Sequence, residues 1–195
     1  MNAVILVCTL KKDGLSNTQT LSEFFKEVLE ERNVACEIVK LVNHRVLPGT
    51  YSDLGADDEW PAILQKIRES QIIIFATPIW WGSHSSEMQK VIERLDEIHD
   101  EILAGKGSQL DGKAGGLIIT GDSDGAEHIT GNIANFFNAI GIIFPPYTTL
   151  SVLWEGQKKG ATTSREELMK KYRDEYTKTA ETMAEQLMRY SAAKQ

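Results

Sequence analysis

Cysteine occurs only twice in this chain, at Cys8 and Cys36. Two thiols this far apart build neither a disulfide framework nor a metal site, and their scarcity is that of a reduced, cytosolic setting. Positive charge is short as well: 21 Lys and Arg face 28 Asp and Glu, for a net charge of −7. Nucleic acid requires a basic footprint, so it is not an expected partner. No apolar run approaches the ~18 residues of a membrane span, and no membrane association is expected. The chain enters a strand almost at once, without the basic and apolar regions of a signal peptide. Catalytic signatures are missing too. Neither GxGxxG nor GxxxxGK[ST] occurs, which argues against the usual dinucleotide fold and a P-loop NTPase. A Ser/His/Asp set and HExxH are likewise absent, leaving hydrolase and metalloprotease readings without support.

What remains is an ordinary globular composition, 42% hydrophobic and 25% charged over 195 residues. That length fits one domain, residues 1–195, with a sizeable core. Short apolar runs alternate with amphipathic stretches. Strands are expected near Ala3–Thr9, Glu37–Leu41, Ile72–Ala76 and Ala114–Thr120, with a fifth inside Ile142–Trp154, where Pro145-Pro146 interrupts. Helices are expected over Thr18–Arg32, around Trp60–Ile67, over Ser86–Leu103, from Ile129 to a stop at Gly141, and from Arg165 onward. Gly105–Gly116 is rich in glycine but short enough to be a connection. Five β/α units in regular alternation imply an α/β fold with a parallel sheet and helices on both faces.

Three polar, glycine-containing segments follow strands: Thr9–Thr18, Thr77–Ser86 and Thr120–Glu127. In an open parallel sheet the carboxyl ends of neighbouring strands share one crevice, where ligands bind. In the first segment, Ser16-Asn17-Thr18 opens a helix whose unpaired N–H groups can hold a phosphate. The Ser16 and Thr18 hydroxyls would add donors and Lys11 charge. Read alone, simple helix capping by Ser16 or Asn17 explains the segment better. In the second, Pro78, Ile79, Trp80, Trp81, Gly82 and Ser83 place two indoles directly after a buried strand. One indole would cover an aromatic ring system while Gly82 lets backbone approach closely. The alternative is that both pack under the next helix or in a subunit contact. The third segment, with Thr120, Gly121, Asp122 and Gly125, is turn-prone. Its acidic character suits hydroxyl or ring N–H recognition, although Asp122 or Ser123 capping the next helix explains it equally.

With these residues in place, the chain resembles the flavodoxin-like NAD(P)H-dependent FMN reductase family along nearly its whole length. Ser16-Asn17-Thr18 is similar to that family's S-N-T phosphate segment, and Thr77–Arg94 to its P-x-Y-W-G-x-x-S…K…I-[DE]-R stretch. Gly121–Glu127, with Ile129–Gly141 and Pro145-Pro146, is similar to its third flavin loop and following helix. Trp80 stands where tyrosine is usual, and Asp122–Asp124 replaces a more glycine-rich loop. The resemblance implies a five-stranded sheet of order 2-1-3-4-5 and non-covalent FMN, its phosphate at Thr9, Lys11 and Ser16–Thr18 and its ring at Pro78–Ser83 and Thr120–Gly125.

It further implies hydride transfer from NAD(P)H to the flavin and onward to a small acceptor: a quinone, free flavin, nitro- or azo-compound, or metal oxyanion. No side chain is expected as nucleophile or essential base, because the cofactor carries the chemistry. An electron carrier and a flavin-binding regulatory protein without turnover are the competing readings. A long third helix, an exposed Trp60 and an extended Tyr172–Tyr190 face favour a homodimer or homotetramer over a monomeric shuttle. Lys90 and Arg94, four apart, read as a solvated face or an interface pair. His84 and His128 border the loops without an assigned role, His44 and His99 are expected at the surface, and Cys8 is expected as a small buried hydrophobe.

Overall fold

The structure, a computed structural model, describes residues 1–191. Five strands, β1 (Asn2–Val7), β2 (Ala35–Lys40), β3 (Ile72–Pro78), β4 (Ala114–Gly121) and β5 (Thr149–Leu153), form one sheet in the order β2-β1-β3-β4-β5. Every pairing is parallel. The sequence dictates this arrangement: β1 and β3 are continuous apolar runs buried on both faces, which only a sheet covered on both sides accommodates. Helices α1 (Asn17–Glu30) and α6 (Arg165–Ser191) cover one face. Helices α2 (Trp60–Glu69), α3 (Ser86–Arg94), α4 (Asp96–Leu103) and α5 (Ala126–Ala139) cover the other. The order reverses at β1/β3, so the loops after these two strands diverge to open a crevice at their carboxyl ends.

Glycine sets how closely the layers approach. A Cβ on Gly115 would lie 2.6 Å from the Phe137 ring of α5, and one on Gly116 2.7 Å from Met183 of α6. Both glycines lie in β4, which takes in the end of the glycine-rich stretch Gly105–Gly116.

Several expectations need correction. The helix expected over Ser86–Leu103 is interrupted at Leu95, which stays right-handed (φ −94°, ψ −2°) and keeps its side chain in the core while ending α3 and preceding α4. Arg94, in the last turn of α3, lies on its buried side with Met88 and Val91. Far from a solvated face, Arg94 is fully buried, and its guanidinium donates to Asp58 Oδ2 (2.6 Å), Leu47 O (2.8 Å) and Tyr51 O (2.8 Å). It also lies 5.6 Å from the ring centre of Trp60. Trp60 itself is wholly buried rather than exposed: it opens α2, with Pro61 tolerated in the first turn, and joins Ile63, Leu64 and Ile67 on the helix's buried face. Tyr172 is buried against Phe24, so the α6 face it belongs to is core and not a free surface. His44 and His99 are half-buried rather than fully at the surface; His99 Nδ1 lies 3.2 Å from Ala139 O. Cys8 is buried as expected.

Candidate functional site

Each of the three loops is fixed at its base by small hydroxyl side chains. In the first, Ser16 is the N-cap of α1: its Oγ accepts from Gln19 N (3.3 Å) and donates to Thr9 Oγ1 (3.0 Å). Thr9 Oγ1 also accepts from Lys11 N (3.3 Å). The capping reading of Ser16 is thus realised, and it is compatible with an anion site. The cap consumes the Gln19 N–H and leaves those of Asn17 and Thr18, at the positive end of a 14-residue helix, without a protein acceptor among the described residues. The proton of Thr9, whose oxygen already accepts twice, is also unspent. Lys11 is exposed and its Nζ donates to Leu15 O (3.0 Å), folding its charge over the loop. Asn17 does not face outward: its Nδ2 donates to Gln157 O (2.9 Å).

The second loop is a hairpin. Trp80 and Ser83 exchange both backbone bonds, at 2.8 and 2.9 Å, with Trp81 (φ +50°) and Gly82 (φ +74°) between them. Two consecutive left-handed residues are what a two-residue hairpin turn demands. Glycine adopts that conformation freely, whereas for tryptophan it costs roughly 1–2 kcal/mol. Trp81 is fully exposed (101%) and Trp80 partly so (41%), so the packing alternative fails for Trp81 within this chain. Strain and exposure of this kind cluster at functional positions. Ser85 anchors the loop from behind: its N–H donates to Thr77 Oγ1 (3.0 Å), its hydroxyl to Cys8 O (2.5 Å), and it caps α3 by accepting from Met88 N (3.2 Å).

The third loop closes on both others. Thr18 Oγ1 and Thr120 Oγ1 share a buried hydrogen bond of 2.7 Å, joining it to the first. Ile79 N donates to Thr120 O (2.9 Å), and Gly121 lies so near Ile79 that a Cβ would meet its side chain at 2.9 Å. Gly125 (φ +134°) lies so near Gly82 that a Cβ would stand 2.8 Å from the Gly82 backbone. Asp122, Ser123 and Asp124 are exposed, and neither Asp122 nor Ser123 caps α5, whose N-cap is Gly125.

Sequence reading missed Thr77, Ser85 and Gln157. Ser85 carries a recognisable signal, a serine at the start of an amphipathic helix; Gln157 carries none, because it sits in an isolated turn. Neither thiol of the chain offers a nucleophile. Burial pushes the Cys8 thiol well above its ordinary range and that of Cys36 to about 12, so both stay protonated. His84 turns back on its own loop, Nδ1 lying 3.1 Å from Ser85 O. Among the described residues no group of three or more His, Cys, Asp and Glu could hold a metal ion.

A family model described as NADPH-dependent FMN reductase matches residues 1–153. The chain is 32% identical over 151 residues to the divalent metal cation transporter MntH of Mycobacterium bovis, a match that takes in 75% of this chain and 22% of the transporter. It is 31% identical over 159 residues to 8-demethyl-8-aminoriboflavin-5'-phosphate synthase of Streptomyces davaonensis, covering 75% of this chain and 61% of the synthase. The chain therefore spans less than two thirds of either curated relative. No described helix is long and apolar enough to cross a membrane. Among solved structures, RosB with bound 8-demethyl-8-formylriboflavin-5'-phosphate superposes with a TM-score of 0.81 at 24% identity, over 98% of this chain and 79% of RosB. FerB, an NAD(P)H:(acceptor) oxidoreductase of Paracoccus denitrificans, gives 0.64 at 18%, over 97% and 98% of the two chains. NAD(P)H:quinone oxidoreductase of Methanothermobacter marburgensis gives 0.61 at 15%, over 94% and 96%. These structural likenesses are likenesses of fold.

Proposed function

Because the chain belongs to the NADPH-dependent FMN reductase family, we propose that it is an FMN-dependent oxidoreductase that takes a hydride from NAD(P)H and passes electrons to a small acceptor. The observation that carries this reading is the convergence of all three loops on one crevice, through Thr18–Thr120, Ile79–Thr120 and Gly82–Gly125.

The residues fit FMN. The free N–H groups of Asn17 and Thr18, the unspent Thr9 proton and the nearby Lys11 charge suit a terminal phosphate. Gly82 and Gly125 meet through backbone alone, and in the second loop the N–H groups of Trp81 and Gly82, which have no protein acceptor among the described residues, suit a polar ring edge. Trp81 offers an unoccupied indole face. When bound, FMN supplies the redox chemistry; the chain binds it, orients it and excludes competing reactions. The acceptor class is a quinone, flavin, nitro- or azo-compound, or metal oxyanion. A homodimer or homotetramer belongs to the same proposal, with the indoles of Trp80 and Trp81 as apolar surface for a second copy to cover.

A second reading has the flavin phosphate as substrate. It is favoured by the 31% identity to a protein named as 8-demethyl-8-aminoriboflavin-5'-phosphate synthase. One experiment separates the two: FMN-loaded protein is mixed anaerobically with NADPH or NADH, and the flavin is then extracted and weighed by mass spectrometry. Rapid bleaching with recovery of unchanged FMN is the expected result. Flavin that stays oxidised would remove the reductase reading, and a flavin of altered mass would establish the second.

A further inference from the structure

Gln157 lies beyond the family-matched residues 1–153, in the 3₁₀ turn Glu155–Gln157 that follows β5. It is nevertheless buried (7% exposed) and tied to four elements. Its Nε2 donates to Val152 O at the end of β5 (2.8 Å) and, at 3.4 Å, to Gly121 O at the start of the third loop. Its Oε1 accepts from the Tyr172 hydroxyl of α6 (3.1 Å). Its own carbonyl accepts from Asn17 Nδ2, in the first residue of α1 (2.9 Å). A buried amide spends its hydrogen-bonding groups only where they find partners. The Val152 and Gly121 carbonyls fix which end is nitrogen, since the reversed amide would set Oε1 against two acceptors, and the Tyr172 hydroxyl then donates to the oxygen end.

The consequence is geometric. Thr18–Thr120 ties the first loop to the third directly. Asn17–Gln157–Gly121 ties them a second time, one residue earlier in α1 and one later in β4. Two crossed ties fix both separation and rotation, where one would leave a pivot. The Asn17 and Thr18 N–H groups sit on the part of α1 so fixed.

We propose that Gln157 is the positioning residue of the flavin-phosphate site, holding the first turn of α1 against the third loop, with Tyr172 holding the oxygen end of its amide. This rests on the reading that an FMN phosphate binds at Asn17–Thr18. Gln157 acts through Asn17 and Gly121, and the segment after residue 153 thereby completes the site.

The test compares FMN with riboflavin, which lacks the phosphate, by titrating each into wild type, Gln157→Ala and Tyr172→Phe. A positioning role lowers FMN affinity about tenfold or more in Gln157→Ala and less in Tyr172→Phe, with riboflavin affinity unchanged. A merely structural tether would weaken both ligands equally, and that outcome overturns the proposal, as does an unchanged preference for FMN. Should Gln157→Ala not fold, Tyr172→Phe and Asn17→Ala carry the same comparison, each removing one donor to Gln157. A wild type without preference for FMN over riboflavin overturns the phosphate reading and this proposal together; a wild type with that preference, kept in all variants, overturns this proposal alone.

Discussion

Gly82 and Gly125 meet backbone to backbone: a Cβ on Gly125 would stand 2.8 Å from both the Cα and the carbonyl oxygen of Gly82. Neither atom belongs to a flexible side chain, so Gly125→Ala must part the second and third loops. The residue's φ of +134° adds strain of its own. Gly82 has open space where its Cβ would go, so Gly82→Ala incurs only the left-handed penalty, roughly 1–2 kcal/mol. Flavin titration is expected to show Gly125→Ala losing FMN at least tenfold more severely than Gly82→Ala, though thermal unfolding ranks them closer. Equal losses would mean the contact does not shape the crevice.

Trp81 is strained and solvent-covered at once, a combination folding alone does not favour. Trp81→Gly is therefore expected to raise stability by about 1 kcal/mol, or about 2–4 °C in Tm for a chain of this size. The same change, like Trp81→Ala, is expected to relieve quenching of bound flavin fluorescence. Quenching that survives in both Trp80→Ala and Trp81→Ala would sink the stacking role. A lower Tm in Trp81→Gly would show that the turn carries no strain.

Asn17→Glu places a carboxylate in the first turn of α1. For the helix alone this is favourable, by about 0.3–1 kcal/mol, because the dipole's positive end is there. For a phosphate it is repulsive, and it sets an acceptor against Gln157 O in place of the present donor. The expected outcome is protein that unfolds near the wild-type temperature but does not retain FMN through gel filtration. Retention at wild-type affinity would refute the phosphate assignment.

The parallel sheet was legible because buried parallel strands write themselves as continuous β-branched runs, as Ile72–Ala76 does, whereas its order came only from the family resemblance. The site was legible loop by loop because three of the runs lead into polar, glycine-containing segments. Illegible were the features that depend on which distant residues meet. Arg94 sits on helix spacing that fits a solvated face, and only the 36-residue separation to Asp58, closed in space, turns it into core. Tyr172 and Trp60 carry polar tips that read as surface until a partner or an enclosing wall is known. Gln157 had no periodicity to betray it. The break at Leu95 left the apolar spacing Val91, Leu95, Ile98, Ile102 unchanged, so no pattern announced it.

The Arg94–Asp58 pair is the part of the core that pH can reach. Both side chains are out of solvent, and burial alone would push the Asp58 carboxyl upward. Hydrogen bonds from Arg94 and from the N–H groups of Trp60 and Leu47 outweigh that, and hold it below its ordinary range. A carboxyl whose folded pKa is depressed contributes its full stability above the unfolded value of ~3.9 and loses it as pH falls through the folded value. Arg94→Met strands a buried carboxylate, so it is expected to reduce stability at pH 7 by roughly 3–5 kcal/mol. Without the guanidinium the Asp58 pKa rises, protonation relieves the stranded charge, and the deficit relative to wild type shrinks as pH falls from the variant's raised pKa toward the depressed one of wild type. Urea denaturation of both proteins at pH 7 and pH 3.5 measures it. The loop from Leu47 to Asp58, which the guanidinium holds through two carbonyls, should loosen first in hydrogen exchange. A deficit that stays constant across that pH range would show that Arg94 acts through packing on Trp60 and not through the charge of Asp58.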